Sequence, residues 1–211
     1  MKGWTKTLPS STIKLSVIIP VFNQQGLIRI GLESIPARSD IEIIIVDDGS
    51  TDETLLEVRN YQFNSRKNIV ILHNDINRGV AYSVNRGLDV ATGEYVVLLG
   101  ADGDYFVNLE NGMNYLDADL VYFNLQINSG EFWDTVEGSS KFMRREFIGD
   151  TRVPLLHNCE DNAFFKILRA KNPTERHLCK EIMYKHYNYP REGSLVWQVQ
   201  NHLVEKGKKL C

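Results

Sequence analysis

The chain has 211 residues and a formal net charge of −3, and 43% of its residues are hydrophobic and 24% charged. This is the composition of a globular protein, long enough to bury a core without disulfides or a metal. The three cysteines form no C-x-x-C pair, which argues against a disulfide framework and a structural zinc site. No apolar run approaches the roughly 20 residues that span a bilayer, and the start lacks the apolar stretch of a signal peptide. We therefore expect a cytoplasmic protein, in solution or peripherally bound to a membrane.

The charge is distributed unevenly along the sequence. Residues 1–140 carry 10 basic and 19 acidic side chains, whereas residues 141–211 carry 14 basic and 8 acidic ones. The basic C-terminal third either faces an anion, such as a phosphate, a lipid headgroup or a nucleic acid, or forms a solvated surface.

The predicted elements alternate between strands and helices. In chain order, apolar runs and helical spacings predict a strand at 14–22, a helix at 26–35, a strand at 41–46, a helix opened by the turn at 47–54, a strand at 68–73, a loop entering a helix at 77–91, and strands at 94–99 and 118–127. Ser50 or Thr51 is the expected N-cap of the second helix. After residue 128 the periodicity weakens, and we expect mixed structure with a helix near 160–170.

This alternation predicts an α/β fold with a mostly parallel central sheet and helices on both faces. Ligands of such sheets bind beyond the carboxyl ends of the strands. Polar clusters follow three of the predicted strands, at residues 20–23, 47–50 and 101–104. Their shared place in the predicted fold is the first indication of a single binding site.

The turn after the first strand lacks the common phosphate-binding motifs. It has the sequence PVFNQQG, with neither the G-x-G-x-x-G of dinucleotide-binding folds nor a P-loop. The glycine-rich basic loop of a sugar-phosphate nucleotidyltransferase is also missing. A diphosphate ligand would therefore be held in another way.

Several segments together resemble the family 2 glycosyltransferases, which have the GT-A fold. They are LSVIIPVFNQQ (15–25), EIIIVDDGSTDET (42–54), NRGVAYSVNRGLDVATGEYVVLL (77–99), ADGD (101–104), CEDNAFF (159–165) and YNYPREGSL (187–195). The resemblance lies in their order and spacing and covers about residues 14–195. It implies a single domain over residues 1–211, with a nucleotide-sugar-binding half at about 14–127 and an acceptor-binding, catalytic-base half with a C-terminal tail at about 128–211.

The resemblance implies that one group of residues binds a nucleotide-diphosphate sugar, a UDP-sugar in the first place or a GDP-sugar. These donor-binding residues are Pro20, Val21, Phe22, Asn23, Asp48, Arg78, Gly79, Ala101, Asp102, Arg191 and Ser194. The Asp48 carboxylate would accept an N–H of the base, or Asp47 and Asp48 would only cap the next helix. Gly79 would let the backbone approach the donor because it has no side chain. Arg78 would replace an arginine that the family often has at the position of Val84, or would be an exposed loop charge.

The resemblance also implies a divalent cation, Mg²⁺ or Mn²⁺, that neutralises the charge of the diphosphate leaving group. The family motif is Asp-x-Asp. Without gaps its first Asp falls on Gly100 and its second on Asp102, whereas in a shifted register Asp102 and Asp104 form the motif. We expect Asp102 and Asp104 as metal ligands, with a simple polar turn as the alternative.

Glu160 and Asp161 stand where similar inverting enzymes carry a Glu-Asp pair. By this resemblance Asp161 is the general base that takes the proton of an acceptor hydroxyl, which contributes about 10²–10⁴-fold to the rate. Glu160 would support it or contact the acceptor. The alternative is a helix N-terminus with favourable acidic residues. One base without a second carboxylate nucleophile implies a single displacement with inversion at the anomeric carbon.

Further basic residues are candidates for binding anionic groups. Arg191, followed by Ser194 in the tail segment, would pair with the diphosphate. Lys141, Arg144 and Arg145 would either read an anionic acceptor or decorate a helix.

The sequence thus predicts a metal-dependent glycosyltransferase that acts on a hydroxyl acceptor, either a saccharide or a lipid-linked saccharide. Two alternatives stay open. One is sugar transfer to a modified nucleic acid, which the basic C-terminal third suggests. The other is a non-catalytic nucleotide-sugar-binding homologue, which Gly100 in the place of a family Asp suggests.

Overall fold

The computed structural model describes residues 12–126, 132–133, 141–156 and 160–185. Its helices are α1 (Ile28–Ser34), α2 (Thr54–Asn64), α3 (Val80–Val90), α4 (Leu109–Gly112), α5 (Arg145–Ile148) and α6 (Glu160–Arg169). Its strands are β1 (Leu15–Val21), β2 (Ile41–Asp47), β3 (Asn68–His73), β4 (Tyr95–Leu98), β5 (Tyr105–Phe106), β6 (Leu120–Gln126), β7 (Phe132–Trp133), β8 (Lys141–Arg144) and β9 (Glu175–Lys185). A 3₁₀ turn covers Met113–Tyr115.

The strands form one sheet in the order β3-β2-β1-β4-β8-β6-β9-β5, with β7 paired to β6. The first four strands of this order are parallel, as the alternation of strands and helices predicts. Beyond β4 the sheet is mixed, because β8 runs antiparallel to both β4 and β6. Strand β9 is parallel to β6, and β5 is antiparallel to β9.

The register of the parallel strands brings their carboxyl ends to one edge. Ile18 of β1 lies opposite Ile44 of β2 and Leu98 of β4. Leu98, the last residue of β4, is therefore level with Ile44, three residues before the end of β2, and two strand spacings, about 10 Å, from it. We call this edge, formed by the ends of β1, β2 and β4, the carboxyl edge.

Both faces of the sheet are buried by helices. Successive side chains of a strand point to opposite faces and therefore belong to different cores. Val17 and Ile19 belong to a core shared with α1 and α2. Ile18 belongs to a second core shared with α3 and α6. Helix α3 approaches β1 closely at Gly87, where a Cβ would lie 2.5 Å from Ile18 Cγ2. Helices α3 and α6 therefore cover the same face of the sheet.

Helix α6 runs from the carboxyl edge toward the opposite edge. Its last residue, Arg169, lies 3.6 Å from Glu175 (Nε to Oε1). Glu175 is paired with Leu120, the first residue of β6, and β6 has the same direction as β4. A helix of 10 residues rises about 15 Å. Its first residues, Glu160 and Asp161, therefore lie toward the carboxyl edge.

The helix near 160–170 and the five predicted strands are present, but one local prediction is wrong. Helix α2 has Glu53 at its N-cap position, and no side chain caps it. Ser50 and Thr51 bond instead to Asn23, in the loop after β1. Strands β5, β7, β8 and β9 were not predicted, because their patterns are short or irregular. Among the described helices, none is long and apolar enough to cross a membrane.

Candidate active site

The loop after β1 is held by side chains of the loop after β2 and of α2. Four successive backbone N–H groups donate to side-chain oxygens: Asn23 to Ser50 Oγ (3.0 Å), Gln24 to Thr54 Oγ1 (2.8 Å), Gln25 to Asp52 Oδ2 (3.2 Å) and Gly26 to Glu57 Oε2 (2.7 Å). The polar residues after β2 thus shape the first loop. Of its predicted donor-binding residues, Phe22 and Asn23 are exposed, whereas the Val21 side chain is buried.

The Asp52 carboxylate is one of these acceptors, and its pKa is lowered. Burial raises the pKa, but hydrogen bonds from the hydroxyl and N–H of Thr54 and from the N–H of Gln25 outweigh that effect. Because the pKa of Asp52 is lower in the folded than in the unfolded state, its ionised carboxylate stabilises the fold at pH values above the ordinary Asp pKa of about 4. The contribution of Asp52 to holding the two loops together is therefore present at neutral pH and lost in acid.

Asp48 organises the loop between β3 and α3. Its carboxylate is 3% exposed. Oδ1 accepts hydrogen bonds from Asn74 Nδ2 (2.6 Å) and Arg78 N (3.0 Å), and Oδ2 accepts one from Gly79 N (2.8 Å). These bonds hold Gly79 at a φ of 89° at the start of α3, a conformation that glycine adopts readily. A Cβ at Gly79 would meet no atom within 4 Å, so the backbone there faces open space.

The alternative interpretation of Asp47 and Asp48 as caps of α2 is wrong. Asp47 Oδ2 lies 2.7 Å from Nδ1 of His73, and Asp47 is 1% exposed. Asp48 bonds to the β3–α3 loop, and α2 has no side-chain cap. Both carboxylates therefore link β2 to its neighbour β3 rather than to its own helix.

Asp102 and Asp104 lie in the turn between β4 and β5. Asp104 is 3% exposed and Asp102 is half-buried. Gly103 has a φ of 99°, which turns the chain between them. A Cβ added at Gly100 would overlap Asp104 Oδ2 and lie 3.1 Å from Asp102 Oδ1. The two carboxylates therefore converge on the backbone of Gly100. Ala101 is buried in the core beneath them.

These two carboxylates fit a hard divalent cation. The part of the chain that the structure describes holds no group of three or more His, Cys, Asp or Glu residues suited to a metal ion. Mg²⁺, however, is commonly bound through one or two carboxylates, with substrate phosphates and water as its other ligands. Two converging carboxylates at the end of β4 match that pattern.

Glu160 and Asp161 form the first turn of α6, and both are half-buried. The segment that leads toward this helix is fixed to α3 by Asn85. Its Nδ2 donates to the carbonyl of Val153 (2.9 Å), and its Oδ1 accepts from Val153 N (2.8 Å). Phe164 and Phe165 are buried under the same helix. The position of the predicted base is thus set by the packing of α6 against the core.

Arg78 is exposed, and its guanidinium lies 4.9 Å from the ring centroid of Tyr82. Val84 is 4% exposed and belongs to the core under α3. The position where the family often has an arginine therefore points into the core in this chain. Arg78 stays at the surface beside Gly79.

The prediction that three basic residues read an anionic acceptor is wrong. Lys141 is wholly buried on β8, with Nζ 3.2 Å from the ring centroid of Phe165. Arg144 lies opposite Tyr95, the first residue of β4, and pairs with two carboxylates there. Arg145 Nε donates to the backbone carbonyl of Gly93, just before β4 (2.7 Å). The two arginines therefore belong to the edge opposite the carboxyl edge.

A groove of about 710 Å³ lies between α1 and α2. Its walls include Glu53, Glu57 and Tyr61, and none of the predicted donor-binding or catalytic residues. Arg29 also lines the groove but is paired with Glu33, and the two glutamates do not suit a diphosphate, so the groove is not the candidate active site.

Two predicted donor-binding residues, Arg191 and Ser194, lie outside the described residues.

Two supporting residues were missed by the sequence analysis. Asn74 and Asn85 were not singled out, although each supports a predicted site segment through its side-chain amide. Asn74 is 4% exposed directly after β3. An asparagine directly after a predicted strand is the one signal that the sequence offered for it.

We predict that Asp48→Asn destabilises the protein. The amide would place an N–H₂ group against N–H donors of the β3–α3 loop, and losing hydrogen bonds to a buried charge costs about 2 kcal/mol. Chemical denaturation of both proteins measures the change in the free energy of unfolding. Asp75→Asn, an exposed change in the same loop, is the control and should leave stability unaltered. Equal stability of Asp48→Asn and wild type would contradict the structural role of Asp48.

Comparison with solved structures supports the fold. Residues 1–349 of Staphylococcus aureus TarS, in complex with UDP-GlcNAc, superpose with a TM-score of 0.76 at 24% identity over 86% of this chain and 60% of that one. Mannosyltransferase PcManGT from Pyrobaculum calidifontis, in complex with GDP-Man and Mn²⁺, gives 0.70 at 20% identity over 100% of this chain and 69% of that one. The predicted α/β GT-A fold is thereby confirmed.

Comparison of sequences gives the family. YibD of Escherichia coli K12, an uncharacterised glycosyltransferase, is 33% identical over 136 residues, which are 60% of this chain and 39% of YibD. The chain spans less than half the length of the first curated relatives that it matches. The family model described as glycosyl transferase family 2 matches residues 16–171, well over half of the chain. The protein therefore belongs to glycosyl transferase family 2.

Proposed function

We propose that the protein transfers a sugar from a nucleotide-diphosphate sugar to a hydroxyl acceptor. The observation that carries this proposal is the direction of α6, along which Glu160 and Asp161 would lie toward the edge where Asp102 and Asp104 converge. Membership of the family supports glycosyl transfer. The solved relatives that bind UDP-GlcNAc and GDP-Man support a nucleotide-sugar donor.

The donor would lie over the loops after β1 and β3. Phe22 and Asn23 are exposed there, and Gly79 offers an open backbone. A carboxylate has about four acceptor positions, and three of those on Asp48 are filled by the loop. The remaining one would accept an N–H of uracil or guanine. We expect a UDP-sugar in the first place, with a GDP-sugar as the alternative.

Asp102 and Asp104 would hold a divalent cation, Mg²⁺ or Mn²⁺. Their convergence on Gly100 supports this assignment, as does the Mn²⁺ bound with GDP-Man in PcManGT. When bound, the cation would neutralise charge that develops on the diphosphate. Arg78, beside Gly79, would add a second positive charge on the other side of the donor.

Asp161 would act as the general base. Its carboxylate takes the proton of the acceptor hydroxyl as that oxygen attacks the anomeric carbon. The bond from this carbon to the β-phosphate oxygen breaks, and the nucleoside diphosphate leaves with the electron pair. Attack on the face opposite the leaving group inverts the configuration. Glu160 would contact the acceptor, and Arg191 and Ser194 would bind the diphosphate from the tail.

The acceptor would be a saccharide or a lipid-linked saccharide. Leu155 and Leu156 are 72% and 51% exposed in the segment just before α6. Two neighbouring apolar side chains, six and five residues before Asp161 in the sequence, would meet an apolar part of the acceptor. This feature favours the lipid-linked version.

Neither alternative function is favoured. Arg144 and Arg145 are engaged at the opposite edge of the sheet and offer no surface to a nucleic acid beside the site. The absence of an acid at Gly100, which suggested a non-catalytic homologue, is offset by Asp104, whose carboxylate occupies that space.

We predict that one class of nucleotide sugar raises the unfolding temperature, and does so more in the presence of Mn²⁺ or Mg²⁺. A ligand at 100 times its Kd stabilises the folded state by about 2.7 kcal/mol. Thermal unfolding with UDP-sugars and GDP-sugars, each with cation or with EDTA, measures the effect. The sugars without the nucleotide serve as the control. No shift with any nucleotide sugar would contradict the proposed donor.

We predict that Asp161→Asn lowers the transfer rate by about 10²–10⁴-fold, since an amide cannot accept the proton. The shift in unfolding temperature caused by the donor should persist, because the acceptor side alone is altered. Rates are measured with the donor identified by thermal shift, under initial-rate conditions. Asp150→Asn, an exposed acidic position, should retain the wild-type rate. Wild-type transfer by Asp161→Asn would exclude Asp161 as the base.

A further inference from the structure

Lys141 is a buried charged residue outside the proposed donor, metal and base sites. It is the first residue of β8, and its side chain is wholly buried. Because β8 runs antiparallel to β4, its first residue lies on the side where β4 ends, which is the carboxyl edge. Lysine is almost never fully buried, since taking a charge out of water is costly. The place of this one brings it close to the candidate active site.

The Lys141 ammonium packs against α6. Its Nζ lies 3.2 Å from the ring centroid of Phe165 and 5.3 Å from that of Tyr122, the residue that pairs with Lys141 across β6 and β8. Phe165 is 3% exposed. A cation over an aromatic face is attracted most strongly where water is excluded. Lys141 therefore ties the middle of α6 to the end of the sheet.

This contact places the start of α6 more closely than the far end of the helix does. Arg169 lies beside Glu175, and Phe165 lies beside Lys141. Glu175 and Lys141 pair with positions of β6 that are two residues apart, a rise of about 7 Å. Four residues of helix rise about 6 Å, so α6 runs alongside β6. Asp161 therefore lies one further turn along, beyond the level of Lys141.

Asp161 and Phe165 share one face of α6, because residues four apart are neighbours on a helix. Long side chains of a helix lean toward its N-terminus, so the Phe165 ring leans toward the turn that carries Asp161. We propose that Lys141 is a positioning residue: its ammonium, seated on Phe165, holds the first turn of α6, and with it the Asp161 carboxylate, at the carboxyl edge. This role rests on the proposed function, in which Asp161 is the base.

The role is tested with Lys141→Met, which keeps the unbranched apolar stem and removes the charge. With the donor identified by thermal shift, kcat should fall about 10- to 100-fold, because a small misplacement of a catalytic group costs up to about 10²-fold. The KM values for donor and acceptor should stay near those of wild type, since an interaction made only in the transition state affects kcat. Wild-type kcat in a folded Lys141→Met would overturn the proposal.

Met143→Ala is the matched control for a loss of core packing. Met143 is wholly buried on the same strand and the same face, two residues farther from the carboxyl edge. Its truncation leaves a cavity in the core under α6. Met143→Ala should therefore lower the unfolding temperature and leave kcat near wild type. A loss of kcat as large as that of Lys141→Met would show a general packing effect and overturn the proposal.

A double variant tests whether Lys141 acts through Asp161. Residues that act as a unit are not additive. Adding Lys141→Met to Asp161→Asn should therefore slow the residual transfer no further. An equal loss of kcat in both backgrounds would overturn the proposal. If Lys141→Met does not fold, Phe165→Leu replaces it with the same expectations, because it removes the aromatic ring and keeps an apolar side chain.

The two proposals fail in different ways. Wild-type kcat in Lys141→Met, together with slow transfer by Asp161→Asn, would remove the role of Lys141 and leave the proposed function standing. Wild-type transfer by Asp161→Asn would overturn the assignment of the base and the role of Lys141 together.

Discussion

Parallel pairing of β2, β1 and β4 brings three strand ends, and the carboxylates that follow two of them, to one edge of the sheet. Buried carboxylates require compensation, because an uncompensated buried charge is costly. Asp47 is paired with His73, and Asp48 accepts three hydrogen bonds from the β3–α3 loop. The same bonds that satisfy these charges therefore give the loops their shape.

The acidic character of this edge limits what it can bind. A diphosphate has the same sign of charge as the carboxylates of Asp102 and Asp104. Two like unit charges about 4 Å apart repel by about 4 kcal/mol near a protein surface, so the diphosphate would not approach these carboxylates unaided. A divalent cation between them turns this repulsion into attraction. The charges of the proposed site and donor together are the physical reason for proposing the cation. Arg78 is too exposed to replace it, since screening by water and salt weakens its attraction.

The sequence predicts the parallel half of the fold because its strands are long and β-branched and its helices have clear apolar spacing. The residues that hold the site together were predicted less well. Ser50 and Thr51 were expected to cap α2, yet they bond to Asn23, which lies 27 and 28 residues away in the sequence. Local patterns do not reveal a partner at that separation. For the same reason the burial of Lys141 was missed, because it depends on Phe165 of a distant helix.

Gly100 shows how structure changes the meaning of a motif. In the sequence it is a missing ligand, and Asp104 completes an Asp-x-Asp only in the shifted register. In the fold, the left-handed Gly103 and the packing of Asp104 against α1 bring its carboxylate over Gly100. Spacing along the chain therefore does not reveal that the Asp104 carboxylate lies over Gly100.

Binding of a cation together with a nucleoside diphosphate at the carboxyl edge can be tested by anomalous scattering from crystals grown with Mn²⁺ and UDP or GDP. We expect one Mn²⁺ peak within about 2.0–2.6 Å of carboxylate oxygens of both Asp102 and Asp104, with the diphosphate beside it. A peak remote from both residues, or a nucleotide bound in the groove between α1 and α2, would contradict it.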